Sequence, residues 1–252
     1  MIRSVWVFLV GTVWLMVYGA HMILATHFGF KNTQCVCDRN PRAWGLKILK
    51  AAKCTVRVRG GHHLDPDSPQ IVISNHESWF DVFALAGHIP GRYRWVAKKE
   101  LEKVPVFGRA FVSCGHVTVD RGDRGSAVES LEKAARQINA DNSSIMIFPE
   151  GTRSPTGALQ RFKKGAFVLA IQAGVPIVPV AVRGGRAIMP KGSYRVRPGE
   201  LEIQIGEPIS VEGMTHTDRD RLLQQSFDAM AALRGGTGPT EIGTPSAVDP
   251  AT

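Results

Sequence analysis

His76 and Asp81 lie five residues apart in Ser74-Asn75-His76-Glu77-Ser78-Trp79-Phe80-Asp81. Together they could make a proton-abstracting pair. A carboxylate bonded to one imidazole nitrogen fixes the tautomer and leaves the other nitrogen as a general base. Along a continuous helix five residues turn through about 140°, so the two side chains would point apart. They meet only if His76 sits in a loop and Asp81 in the first helical turn. The flanking residues predict that arrangement. Ile71-Val72-Ile73 reads as a buried strand, and Val82-Phe83-Ala84-Leu85-Ala86 as the body of a helix. Ser78-x-x-Asp81 is also a capping box, which gives Asp81 a purely structural use. His62 and Asp67 repeat the spacing, but in a Pro-punctuated turn with no helix start behind it. Context, rather than spacing, selects His76.

A second stretch, Phe148-Pro149-Glu150-Gly151-Thr152-Arg153-Ser154, follows the strand-like Ile145-Met146-Ile147-Phe148. Ligands of open α/β sheets gather outside the carboxyl ends of strands. His76 and Glu150 to Arg153 therefore share one rim if their two strands run parallel. Gly151 admits close backbone approach to a ligand, and Arg153 offers a planar fork of donors suited to phosphate. The competing reading is a surface salt bridge between Glu150 and Arg153.

The elements that must carry these residues alternate. Strands are expected at Thr55-Val56-Arg57-Val58-Arg59, Arg94-Trp95-Val96-Ala97, His116-Val117-Thr118-Val119 and Leu201-Glu202-Ile203-Gln204-Ile205. A strand at 177–182 contains Pro179, which predicts an edge or a bulge. Helices are expected at 126–140, capped by Ser126-x-x-Glu129, at 163–173, stopped by Gly174, and at 217–233, capped by Thr217-x-x-Asp220. This is an α/β pattern with a mixed, mostly parallel central sheet flanked by helices. Three regions follow: an N-terminal helical membrane motif over 1–54, an α/β domain over 55–233, and a disordered Gly/Pro/Thr-rich tail over 234–252.

The 252-residue chain carries a net charge of +9, unevenly spread. Residues 1–60 hold nine Lys/Arg and one acid, Asp38; the remainder is nearly balanced. Residues 4–30 contain no charged side chain and are long enough to span a bilayer. Residues 42–53 read as a short amphipathic helix, with Arg42, Lys47, Lys50 and Lys53 on one side and Trp44, Ile48, Ala51 and Ala52 on the other. That helix is expected to lie buried in the membrane interface. Basic charge around an apolar segment points to anionic lipid headgroups and away from nucleic acid. It also places the following domain on the cytoplasmic side. Residues 4–30 either cross the bilayer or pair with 42–53 in one leaflet; diluting Gly, Thr and His residues favour the leaflet. Cys35, Cys37, Cys54 and Cys114 form no CxxC pair and read as reduced thiols of a cytosolic compartment.

Read together, the two loops resemble the first and third blocks of the glycerolipid acyltransferase family, nearest its small bacterial 1-acylglycerol-3-phosphate acyltransferases. Lys98-Lys99-Glu100-Leu101, Pro105-Val106-Phe107-Gly108 and Gly115-His116-Val117-Thr118-Val119-Asp120-Arg121 resemble the second block, and Val175-Pro176-Ile177-Val178-Pro179-Val180 the fourth. The resemblance covers about 56–209, in the family's order. It implies an inner-membrane enzyme, facing the cytoplasm, that moves an acyl chain from acyl-CoA or acyl-acyl carrier protein to the sn-2 hydroxyl of 1-acyl-sn-glycerol 3-phosphate, giving phosphatidic acid for phospholipid synthesis. The alternative is another lysophospholipid or acyl acceptor. By the same resemblance His76 is the general base and Asp81 its orienter. Arg121, Glu150, Gly151, Thr152 and Arg153 bind the acceptor and its phosphate, and no metal or cofactor is needed.

Three rival readings fit the residues less well. A serine hydrolase would use Ser74 or Ser78, but no Gly-x-Ser-x-Gly elbow is present. A metal hydrolase would use His62, His63, Asp65, Asp67 and His76, without a recognisable ligand framework. A non-catalytic lipid-surface protein would have no use for the His76/Asp81 and Arg153 constellation.

Overall fold

The structure is a computed structural model that describes residues 1–120 and 122–235. Two helices come first, α1 (Ile2–His27) and α2 (Thr33–Ala52). Strands and helices then alternate: β1 (Cys54–Arg59), β2 (Ile71–Ser74), α3 (Trp79–His88), β3 (Tyr93–Lys98), α4 (Phe107–Ser113), β4 (Val117–Val119), α5 (Arg124–Asp141) and β5 (Ser144–Ile147). They continue through α6 (Gly165–Ala173), β6 (Ile177–Arg183), α7 (Gly185–Ile188), β7 (Gly199–Ile205) and α8 (Arg219–Leu233). The strands form one sheet in the order β1-β7-β6-β2-β5-β3-β4. Every neighbouring pair is parallel except β6 and β7. This is the mixed, mostly parallel sheet expected from sequence.

Residues on opposite faces of the sheet build two cores. Ile71, Ile73, Ile145 and Ile177 pack under α5, α6 and α8, against Ile138, Phe167 and Leu222. Val72, Met146, Val178 and Ile203 face the other way, against Phe80, Ala84 and Leu85 of α3 and Ile48, Leu49 and Ala52 of α2. Strands buried on both sides explain the unbroken apolar runs of β2 and β6.

Several expectations are corrected. Strand β6 lies inside the sheet, between β7 and β2, not at an edge. Pro179 accepts a bond from the Gly206 N–H at its carbonyl, so its nitrogen faces β7 too. There the ladder is interrupted between the Ile205 and Ile209 pairings, and a missing donor costs nothing. Helix α2 begins at Thr33, well ahead of the expected start at Arg42, and runs through Pro41. Its apolar face is covered by protein, with Ile48, Leu49 and Ala52 at 3% exposure or less, and is not left for lipid. Helix α5 is capped by Asp123, which accepts from Gly125 and Ser126 N–H, in place of the Ser126 box. The turn before α8 is capped by Thr215 and Asp218, two residues ahead of the expected box. Cys37 and Cys114 are joined in a disulfide between α2 and the end of α4; only Cys35 and Cys54 are free thiols. The pairing brings together residues 77 positions apart, which no spacing rule reveals. Residues 236–252, most of the expected tail, lie outside the described residues.

Candidate functional site

Strands β2 and β5 are parallel neighbours, with Ile73 beside Ile147, so the loops leaving them emerge on one rim. The first loop is fixed before it reaches His76. The Asn75 side chain accepts from Val182 N–H at 2.7 Å and donates to Val182 O at 2.9 Å, imitating a strand partner for β6. Past His76, Ser78 caps α3: its hydroxyl accepts from Phe80 N–H and donates to Met189 O at 2.7 Å. Asp81 closes the box. Its Oδ2 accepts from Glu77 N–H at 2.6 Å, Ser78 N–H at 2.7 Å and His76 Nδ1 at 3.1 Å. The capping and orienting readings of Asp81 therefore hold together: the same oxygen closes the helix and meets the imidazole.

Asp81 is 1% exposed, and its other oxygen, Oδ1, is buried without a hydrogen-bond partner. Beside that oxygen stands Gly185, where an added Cβ would fall 2.1 Å from Oδ1. Only glycine lets the α7 backbone come this close.

The second loop braces the first. Glu150 is 5% exposed and accepts from His76 N–H at 2.9 Å and from the Gln160 backbone and side chain at 3.2 and 2.8 Å. It makes no ion pair with Arg153, so the surface salt-bridge reading falls. Ser154 N–H donates to His76 O at 2.7 Å, and the Phe148 ring stacks on the imidazole at 4.0 Å. Gly151 takes φ +72°, a conformation L side chains rarely adopt. The Arg153 guanidinium lies over the Trp79 ring at 5.2 Å, and Lys191 Nζ donates to Arg153 O at 2.9 Å and approaches Thr152 Oγ1 at 3.3 Å. Burial raises the Glu77 carboxyl pKa against the pull of Arg234, which pairs with it at 2.7 Å. Burial likewise raises that of Glu150, opposed by the bonds from Gln160 and the His76 backbone.

His76, Glu150, Gly151, Thr152 and Arg153 thus converge with Asp81 behind them; Arg121 lies outside the described residues. His76 Nε2 makes no hydrogen bond among the described residues. The imidazole borders a cavity of about 350 Å³ that continues between Trp79, Phe83, Phe107 and Phe111 to Gly19 and Met22 of α1. The wall is mostly apolar, which suits a hydrocarbon chain. The rival sites have other duties. Ser74 and Ser78 are fully buried with their hydroxyls engaged. Asp65 binds its own turn through Asp67 N–H and the Ser68 hydroxyl, and His62 stacks on His63 at 4.1 Å. Sequence reasoning missed Asn75, Gln160, Gly185, Lys191, Arg234 and the cavity walls of α1 and α2. A short polar residue next to His76 was the only local signal among them.

A family model described as Acyltransferase matches residues 55–183. The 1-acyl-sn-glycerol-3-phosphate acyltransferase alpha of Homo sapiens is 36% identical over 178 residues, covering 71% of this chain and 63% of that protein. The 1-acyl-sn-glycerol-3-phosphate acyltransferase of Cocos nucifera is 40% identical over 142 residues, 56% of this chain and 46% of the relative. The chain therefore spans less than two thirds of the length of these relatives. The crystal structure of the 1-acyl-sn-glycerophosphate (LPA) acyltransferase PlsC from Thermotoga maritima has the same fold, with a TM-score of 0.77 at 22% identity, over 93% of this chain and 95% of that one.

Proposed function

The chain belongs to the acyltransferase family, and from that premise we propose that it acylates the sn-2 hydroxyl of 1-acyl-sn-glycerol 3-phosphate. The observation that carries the reading is His76, held by Asp81 through Nδ1 at the end of an apolar cavity, with Arg153 beside the same mouth. An alcohol is a poor nucleophile until a base takes its proton during attack. His76 Nε2 accepts that proton as the oxygen attacks the thioester carbonyl of acyl-CoA or acyl-acyl carrier protein. The tetrahedral intermediate then expels the thiolate, and the imidazolium returns the proton to sulfur. Asp81 keeps the imidazole in the productive tautomer and stabilises its charged form. No acyl-enzyme is needed, because neither buried serine is free to attack.

Arg153 and Thr152 hold the acceptor phosphate, with Arg121 assigned there by family pattern. Gly151 lets the backbone approach it. We read Glu150 as a brace for the His76 backbone and not as a substrate contact. The acyl chain of the donor lies in the cavity. No metal or cofactor enters the scheme. The helix pair formed by α1 and α2 holds residues 1–54 in one leaflet of the inner membrane, with the α/β domain on the cytoplasmic face. Support comes from the outward side of α1, where Ile2, Val5, Trp6 and Leu9 are 52% exposed or more.

The test is purified protein with a panel of lysolipids and labelled acyl-CoA, products read by mass spectrometry. Phosphatidic acid from lysophosphatidic acid, absent in His76→Ala, is the expected result. Preferred acylation of a phosphate-capped lysolipid such as lysophosphatidylcholine would overturn the choice of acceptor.

A further inference from the structure

The segment between α7 and β7 does more than connect them. From Met189 to Pro198 it carries Lys191, Arg195 and Arg197 and no acidic residue. Tyr194 is 80% exposed, and its hydroxyl bonds nothing among the described residues. Lys191, Arg195 and Arg197 are exposed with it. Most of that aromatic ring therefore stands in solvent among cations.

The segment is nonetheless fixed at both ends. On the catalytic side, Met189 O accepts from Ser78, and Lys191 donates to Arg153 O. On the other side, Val196 N–H donates to Ser4 Oγ at 2.9 Å, and the Tyr194 ring meets Phe8 of α1 at 6.2 Å between centroids. The exposed ring is therefore continuous with the exposed apolar side of α1. Tyrosine favours the boundary between hydrocarbon and headgroups, where its ring is buried and its hydroxyl stays wet. Lysine and arginine beside it match anionic phosphates.

We infer that residues 190–197 form a second membrane contact, seating Tyr194 in the interface and Arg195 and Arg197 on anionic lipid headgroups. This rests on the membrane reading of α1 given above. Because the segment also touches the Thr152–Arg153 turn, it holds the mouth of the site at headgroup level. An acceptor lipid then reaches Arg153 by lateral movement, without leaving the bilayer.

The test uses the full chain with Cys35→Ser and Cys54→Ser in vesicles of phosphatidylcholine and phosphatidylglycerol. An environment-sensitive nitrobenzoxadiazole label is placed on Tyr194→Cys or, separately, on Phe8→Cys, and depth is read with nitroxide lipids. Quenching of the Tyr194 label by a nitroxide near the headgroups is expected. Arg195→Gln with Arg197→Gln should weaken that contact about fivefold per arginine, as should vesicles of phosphatidylcholine alone. A quenched Phe8 label with a water-exposed Tyr194 label would overturn the inference and leave the membrane reading of α1 standing. Two water-exposed labels would overturn both. Quenching insensitive to both the arginines and lipid charge would remove the headgroup contact.

Discussion

Asp81 concentrates three donors on one oxygen and leaves the other bare against Gly185. An amide in its place keeps one acceptor oxygen but no charge for the imidazolium, and sets an N–H₂ against the glycine. Asp81→Asn is therefore expected to lower kcat by about 10²-fold or more, and His76→Ala by about 10²–10⁴-fold, with far-UV dichroism unchanged. Steady-state rates on lysophosphatidic acid check both. Gly185→Ala would force a methyl to 2.1 Å from Asp81 Oδ1 and 3.0 Å from Ser78 Cβ, so the carboxylate must move. It should cost at least about tenfold in kcat with little change in KM, since misplacing a catalytic group by an ångström is that expensive. Gly61→Ala is the control, because its Cβ meets nothing within 4 Å. Arg153→Lys keeps the charge but loses the fork and the stack on Trp79, so it should raise acceptor KM and spare kcat. An unchanged KM would take Arg153 out of the phosphate site.

Between elements, the tie that matters is α2 on β3. Asp38 of α2 pairs with Arg94 at 2.7 Å, and the Arg94 side chain is 5% exposed. Removing one partner strands a buried charge, so Asp38→Ala should destabilise the fold by about 3–5 kcal/mol. Asp38→Ala with Arg94→Met should recover much of that, as read by denaturant unfolding in detergent. Nearby, His116 accepts from Trp95 N–H at Nδ1, and burial, helped by Arg94, pushes its pKa down to about 3. The folded state therefore refuses a proton that the unfolded chain takes up below about 6.5. Stability is present above that value and falls as pH drops toward 3, by about 2 kcal/mol between pH 7 and pH 5. His116→Gln should flatten this slope in the same unfolding experiment. These ties also mark how far sequence could be read. The strand before His76, the turn and the capped start of α3 were legible because each depends on neighbours within a few residues. Asn75 on Val182 and Glu77 on Arg234 were not, because folding joins residues 107 and 157 positions apart. Pro179 misled only as to the edge: β6 lies inside the sheet, and the β7 ladder is interrupted opposite the proline.

For the molecule as a whole, the question is how a helix able to cross a bilayer also lies along a folded domain. Twenty-six residues of α1 extend about 39 Å, enough to span the hydrocarbon. Yet α1 is held along most of that length. Ser4 bonds Val196, Gly11 O accepts from the Trp44 indole at 2.9 Å, and Tyr18 O accepts from Asn40 at 3.2 Å. Gly19 then packs against Val106, and Ala25 is fully buried. A spanning α1 would have to surrender these contacts and open the cavity it helps to wall. Lying flat, it keeps them and turns its exposed apolar side to the acyl chains. The basic excess of residues 1–60 would then stay with the domain on the cytoplasmic face. A cysteine at Ile2, which is 89% exposed, distinguishes the two arrangements in a background lacking Cys35 and Cys54. Protection from an impermeant maleimide in intact cells, followed by labelling once the membrane is opened, is expected for the one-leaflet form. Labelling from outside before permeabilisation would place Ile2 across the bilayer and require α1 to leave the domain.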